Sequence, residues 1–121
     1  MPRHPRGPIA SHQKTVLEGG MRVVTGSMPG AASVSINAFV LVGSRYESLD
    51  QAGISHFVEH MLFKGTPTHK DIPKLLTEKG ARFNGTTSLD RTNYYETLPA
   101  SEENLEFATK LESDRMINSY I

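Results

Sequence analysis

The stretch Ser55-His56-Phe57-Val58-Glu59-His60-Met61-Leu62 constrains this chain more than any other part of it. On a helix each residue turns the next side chain by about 100°, so His56 and His60, four apart, are neighbours on one side. Ile54, Phe57, Val58, Met61 and Leu62 share an arc of roughly 140° by the same arithmetic. The pattern predicts a helix over about 53–63 that buries this apolar stripe and turns two imidazoles and the Glu59 carboxylate away from it. Neutral imidazoles ligate Zn²⁺, and a carboxylate beside them that stays off the metal can take a proton from water. His56 and His60 are therefore candidate metal ligands and Glu59 a candidate catalytic base. The order His-x-x-Glu-His inverts the commoner His-Glu-x-x-His zinc signature.

Composition narrows what such a helix can serve. Thirteen basic and thirteen acidic residues cancel, so no global field favours nucleic acid or an anionic membrane. Cysteine is absent, which excludes disulfides and thiolate ligands. No apolar run reaches membrane-spanning length. With 121 residues the chain is one domain or part of one. Residues 1–12, rich in proline and without the apolar segment of a signal peptide, read as a flexible tail. The chain reads as soluble.

Turn and cap signals place the other elements. Lys14–Leu17 and Met21–Thr25 flank Glu18-Gly19-Gly20 and read as a β-hairpin. Ser33–Gly43 alternates at first and then becomes continuously apolar, which predicts a central strand covered on one face and later on both. Gly65 and Pro67 end the metal-motif helix. Asp71 caps a second helix running to Lys79. Ala81–Ser88 and Thr92–Leu98 read as antiparallel strands joined by Leu89-Asp90-Arg91. Ser101 caps a third helix that passes Leu111, and the apolar end Met116–Ile121 carries no stop signal. Glu47 reads as a solvated loop carboxylate in preference to one that bears on the site, and Phe83, Tyr94 and Tyr95 as strand packing. The expected fold class is α+β, a mostly antiparallel sheet with helices packed on one face.

Several stretches together resemble the pitrilysin, insulin-degrading-enzyme and mitochondrial-processing-peptidase family of zinc peptidases (M16), and most nearly its short bacterial members. They are Leu17-Glu-Gly-Gly-Met-Arg-Val23, Gly43-Ser-Arg-Tyr-Glu47, Gly53 to Thr66 around the histidines, Phe83-Asn-Gly-Thr-Thr-Ser88 with Thr92 and Tyr94, and Leu111-Glu-Ser-Asp-Arg-Met116. The resemblance implies that residues 13–121 are the N-terminal half of such a metallopeptidase domain, with His56 and His60 as zinc ligands and Glu59 as general base. It implies that Asn84 and Gly85 lie on a strand that pairs with peptide substrate, Gly85 standing where the family usually has Ala. The family's third ligand, a Glu, is expected beyond residue 121, and a homologous second domain completes the site.

On that footing the isolated chain is expected to bind Zn²⁺ weakly and to hydrolyse peptides poorly or not at all. Its expected partners are a peptide or small protein substrate, the missing half-domain or homologous domain, and further copies of itself through exposed apolar surface. The compartment stays open between bacterial cytoplasm and periplasm. A non-catalytic partner subunit of the same family is the alternative. S-ribosylhomocysteine lyase carries the same motif on a related architecture but relies on cysteine, which this chain lacks.

Overall fold

A computed structural model describes residues 11–121. The expected tail lies, up to residue 10, outside the described residues. The chain divides into two compact units, the first running to Ala31 and the second spanning Ala32–Ile121.

The first unit is the expected hairpin. Strands β1 (Ser11–Val16) and β2 (Arg22–Ser27) pair antiparallel, with Val16 opposite Arg22. The turn needs left-handed backbone at Gly19 (φ 94°) and Gly20 (φ 90°), a conformation that glycine adopts without steric cost.

The second unit is α+β. Strands β3 (Ser33–Val40), β4 (Arg82–Thr87) and β5 (Thr92–Pro99) form an antiparallel sheet in the order β3-β5-β4. Helices α1 (Ile54–Met61), α2 (Ile72–Glu78) and α3 (Glu102–Asn118) complete the unit. Register and the period-2 alternation of strands sort the sheet into two faces. Phe83, Gly85 and Thr87 of β4 align with Glu96, Tyr94 and Thr92 of β5 on the helix-covered face. Asn84 and Thr86, aligned with Tyr95 and Asn93, lie on the other. That outer face is polar, with Asn93 Nδ2 donating to Asn37 Oδ1 at 3.2 Å.

Ile72, Leu76 and Leu111 form the core where α2 and α3 meet, and Phe63, Leu75, Ala81, Phe83 and Phe107 pack around them. The two later helices start where their caps put them. Asp71 accepts from the Lys74 amide at 3.1 Å and Ser101 from the Asn104 amide at 3.0 Å, each satisfying a donor the first turn leaves open. The α1–α2 connection is tied to α3 through Asp114, which accepts from the Thr66 hydroxyl and from His69 Nδ1. No helix of the described residues is long and apolar enough to cross a membrane.

Two expectations about burial fail. β3 is an edge strand of this sheet, not a central one, and it alternates along its whole length. The chain leaves it at Val40, so Leu41 and Val42 are exposed, and the continuously apolar run does not mark a doubly covered strand. The second concerns α1. Ser55 and Glu59 are its buried positions, with Leu62 just past its end, while Ile54 is 47% and Phe57 62% exposed. Ser55, Glu59 and Leu62 share an arc of about 60°, roughly a quarter turn from the centre of the apolar stripe. The helix is seated by its contact with β4, where Gly85 leaves room for the Glu59 side chain. Within these residues the apolar stripe is covered at Leu62, half-covered at Val58 and Met61, and open at Ile54 and Phe57.

Candidate metal centre

Helix α1 begins in an unusual way. Gly53, its first flanking residue, is left-handed (φ 93°), and no side chain at that position caps the helix. The cap comes instead from Glu47. One of its carboxylate oxygens accepts from the Gly53 amide at 2.9 Å and the other from the Ser55 amide at 2.7 Å. These bonds, Ser55 first and then Gly53, hold the Glu47 carboxyl below the usual carboxylate range, as expected of an anion at a helix N-terminus. The sequence marks Glu47 only as a loop acid, because the six residues to Gly53 hide the return of the chain. Its bearing on the site, the less favoured reading of the sequence, is the one the structure has.

With that end fixed, the first and second turns present the motif. His56 Nε2 and His60 Nε2 stand 2.9 Å apart, one donating to the other. Their rings are 4.6 Å apart between centroids and tilted by 54°. One ligand atom each from His56, Glu59 and His60 lies within 4.8 Å of the others. Both imidazoles are exposed, whereas Glu59 is 7% exposed. Its Oε2 accepts from the Thr87 hydroxyl at 2.5 Å.

Strand β4 forms the other wall. Gly85 faces α1 so closely that an added Cβ would lie 3.1 Å from the Phe63 ring and 3.3 Å from Glu59 Cγ. Asn84 is on the opposite face, and its Oδ1 accepts from the Gly85 amide at 2.9 Å. A cleft of about 530 Å³ opens between helix and strand, lined by His56, Glu59, His60, Asn84, Gly85 and Thr87 among others. The residues singled out in the sequence therefore converge on one cleft.

Behind the site Phe63 lies 5.9 Å from Tyr94, and the buried Arg115 guanidinium stands over both rings, 5.0 Å from Phe63 and 4.5 Å from Tyr94. Burial pushes the Tyr94 hydroxyl up to about 12, so it stays neutral. Arg115 is ion-paired with Glu112. Glu96, fully buried, has neither oxygen in a hydrogen bond. Burial first, then the Glu112 carboxylate, pushes Glu96 up to about 9 against the pull of Arg115.

The donor set suits zinc. Two imidazole nitrogens 2.9 Å apart can both reach one ion at the usual bond length of about 2.0–2.1 Å. Two nitrogens fall short of the three protein ligands a catalytic zinc site holds.

Residues 22–119 match the model of the insulinase family, peptidase family M16. An uncharacterized zinc protease of Rickettsia felis is 43% identical, covering 85% of this chain and 25% of the relative. A second, from Mycobacterium bovis, is 40% identical over 98% of this chain and 28% of its own length. The beta subunit of the mitochondrial processing peptidase of Caenorhabditis elegans is 37% identical over 87% of this chain and 23% of the subunit. The crystal structure of a protease from Helicobacter pylori superposes with a TM-score of 0.83 at 28% identity, covering 92% of this chain and 27% of that one. The chain thus spans about a quarter of the length of these relatives. From the family match and from identities of 37–43% along most of its length, the chain belongs to the insulinase family of peptidases.

Proposed function

We propose that this chain supplies the metal-binding part of a zinc-dependent metalloendopeptidase, with His56 and His60 as ligands and Glu59 as general base. The observation that carries the reading is the convergence of the two imidazoles and one sheltered carboxylate on a cleft bounded by a strand edge. Zinc, when bound, supplies Lewis acidity toward water and the scissile carbonyl. Glu59 takes a proton from the water beside the imidazoles as that water adds to the carbonyl carbon. It then returns the proton to the departing amine. The free edge of β4 at Asn84 and Gly85 receives the peptide as an added strand, using main-chain hydrogen bonds that are tolerant of sequence.

The third ligand and the surface that closes the site come from outside these 121 residues, so the isolated chain binds zinc weakly and turns over little or no peptide. The decisive experiment is Glu59→Gln in the full-length protein. It is expected to abolish cleavage while zinc content stays at one per site. Cleavage at the wild-type rate would refute the assignment.

A further inference from the structure

Strand β4 offers Glu59 a fitted seat. Gly85 leaves the space into which the Glu59 side chain reaches, its Cγ 3.3 Å from where a Cβ would be. Two residues on, and so on the same face, Thr87 donates its hydroxyl to Glu59 Oε2 at 2.5 Å. The donor is itself rigidly held. Thr87 is the last residue of β4 and pairs with Thr92 of β5, whose hydroxyl is in turn bonded to the Val42 carbonyl at 2.8 Å. A β-branched side chain has a stiff χ1, so the hydroxyl direction follows the strand.

A bare carboxylate has two equivalent oxygens and a broad terminal torsion. Bonding one oxygen to a fixed donor removes that freedom and leaves Oε1 as the oxygen free of this bond. A carboxylate as sheltered as Glu59 also needs a donor, because an unpaired buried anion is costly. Thr87 serves both needs.

We propose that Thr87 is a positioning residue for Glu59, fixing which carboxylate oxygen faces the water beside the imidazoles. The proposal rests on the reading of Glu59 as the general base. Thr87 does not touch the reacting atoms and acts only through Glu59. Misplacing a catalytic group by about 1 Å can cost roughly 100-fold, which sets the scale of the expected effect.

The test compares wild-type, Thr87→Val and Thr87→Ser full-length proteins. Thr87→Val keeps the branched shape and removes the donor, and is expected to lower kcat about 10- to 100-fold with KM and zinc content little changed. Thr87→Ser restores the donor and is expected to recover most of the lost turnover. Crystal structures give a readout independent of activity. Glu59 should contact residue 87 in the wild-type and Ser proteins and turn away in the Val protein. An unchanged kcat in Thr87→Val, or a Glu59 carboxylate that keeps its place there, overturns the proposal. So does loss of zinc together with stability, which would mark Thr87 as a fold residue only. Glu59→Gln is assayed alongside. If it cleaves normally the general-base reading has failed, whereas an inactive Glu59→Gln beside a fully active Thr87→Val removes only the role of Thr87.

Discussion

Gly85 and Glu59 meet closely: a Cβ on Gly85 would stand 3.3 Å from Glu59 Cγ and 3.1 Å from the Phe63 ring. The contact joins the strand edge to the proposed base. A change on the strand is therefore felt at the carboxylate.

Gly85→Ala tests this directly. Gly85 is not among the glycines with positive φ, so alanine suits the strand and lowers the entropy of the unfolded chain, gaining about 0.4–1 kcal/mol. Close packing against Phe63 and Glu59 works against that gain by a similar amount. Thermal melts should therefore place the variant within about 1 kcal/mol of wild type. Phe63 and Glu59 need to give by only a few tenths of an ångström, so turnover of the full-length enzyme should stay within about twofold of wild type. A several-fold loss would show that the seat of Glu59 cannot adjust.

Glu47 should matter more than its place in a loop suggests. Replacing it by Ala removes both acceptors at the start of α1, and the Gly53 and Ser55 amides should then exchange with solvent faster. Zinc affinity should fall about tenfold, because the turn carrying His56 loosens. The sign with pH follows from the lowered carboxyl. Its stabilising contribution is present above the unfolded pKa and is lost as pH falls through the folded value, so wild type and Glu47→Ala should converge in acid. Equal amide exchange in the two proteins at neutral pH would rule the cap out.

The Glu96–Glu112–Arg115 group makes stability pH-dependent in the opposite sense. Glu96 is raised to about 9, by burial first and then by Glu112, above an unfolded value of about 4.3. Between those values the folded chain holds a proton that the unfolded chain has lost, so stability falls as pH rises across that window. Glu96→Gln should keep the neutral shape and flatten the pH dependence of Tm. Arg115→Ala, which leaves the Glu112 carboxylate buried and unpaired, should cost about 3–5 kcal/mol. A Tm profile unaltered by Glu96→Gln would count against this assignment.

The histidine pair gives a spectroscopic prediction. A hydrogen bond between His56 Nε2 and His60 Nε2 requires a proton on one of these nitrogens, whereas bonding a metal through both requires it on neither. The ring that accepts through Nε2 already carries its proton on Nδ1, so zinc added to the full-length protein should move the donor ring to the Nδ1–H tautomer as well, read from ¹⁵N shifts. Replacing either histidine by Ala should reduce bound zinc below about a tenth of the wild-type content. Shifts indifferent to zinc would exclude these nitrogens as ligands.

Much of this protein could be read from the sequence because its signals are local. The glycine pair at 19–20, the caps Asp71 and Ser101, and the β-branched strands on either side of Leu89-Asp90-Arg91 each act within a few residues. The structure has the hairpin, α2, α3 and the β4–β5 pair where these signals put them. The four-residue spacing of His56 and His60 also fixes their proximity, since helical geometry permits no other result.

What the sequence could not decide was direction. Which face of α1 is buried depends on the strand it meets. Gly85 and Thr87 receive Glu59 there, and the apolar stripe gives way at Ile54 and Phe57. The edge position of β3 and the reach of Glu47 back to the start of α1 likewise depend on neighbours distant in the chain. Local pattern sets which elements form. Only their packing against one another sets which side chains share a cleft, because space and hydrogen-bond partners there come from separate segments.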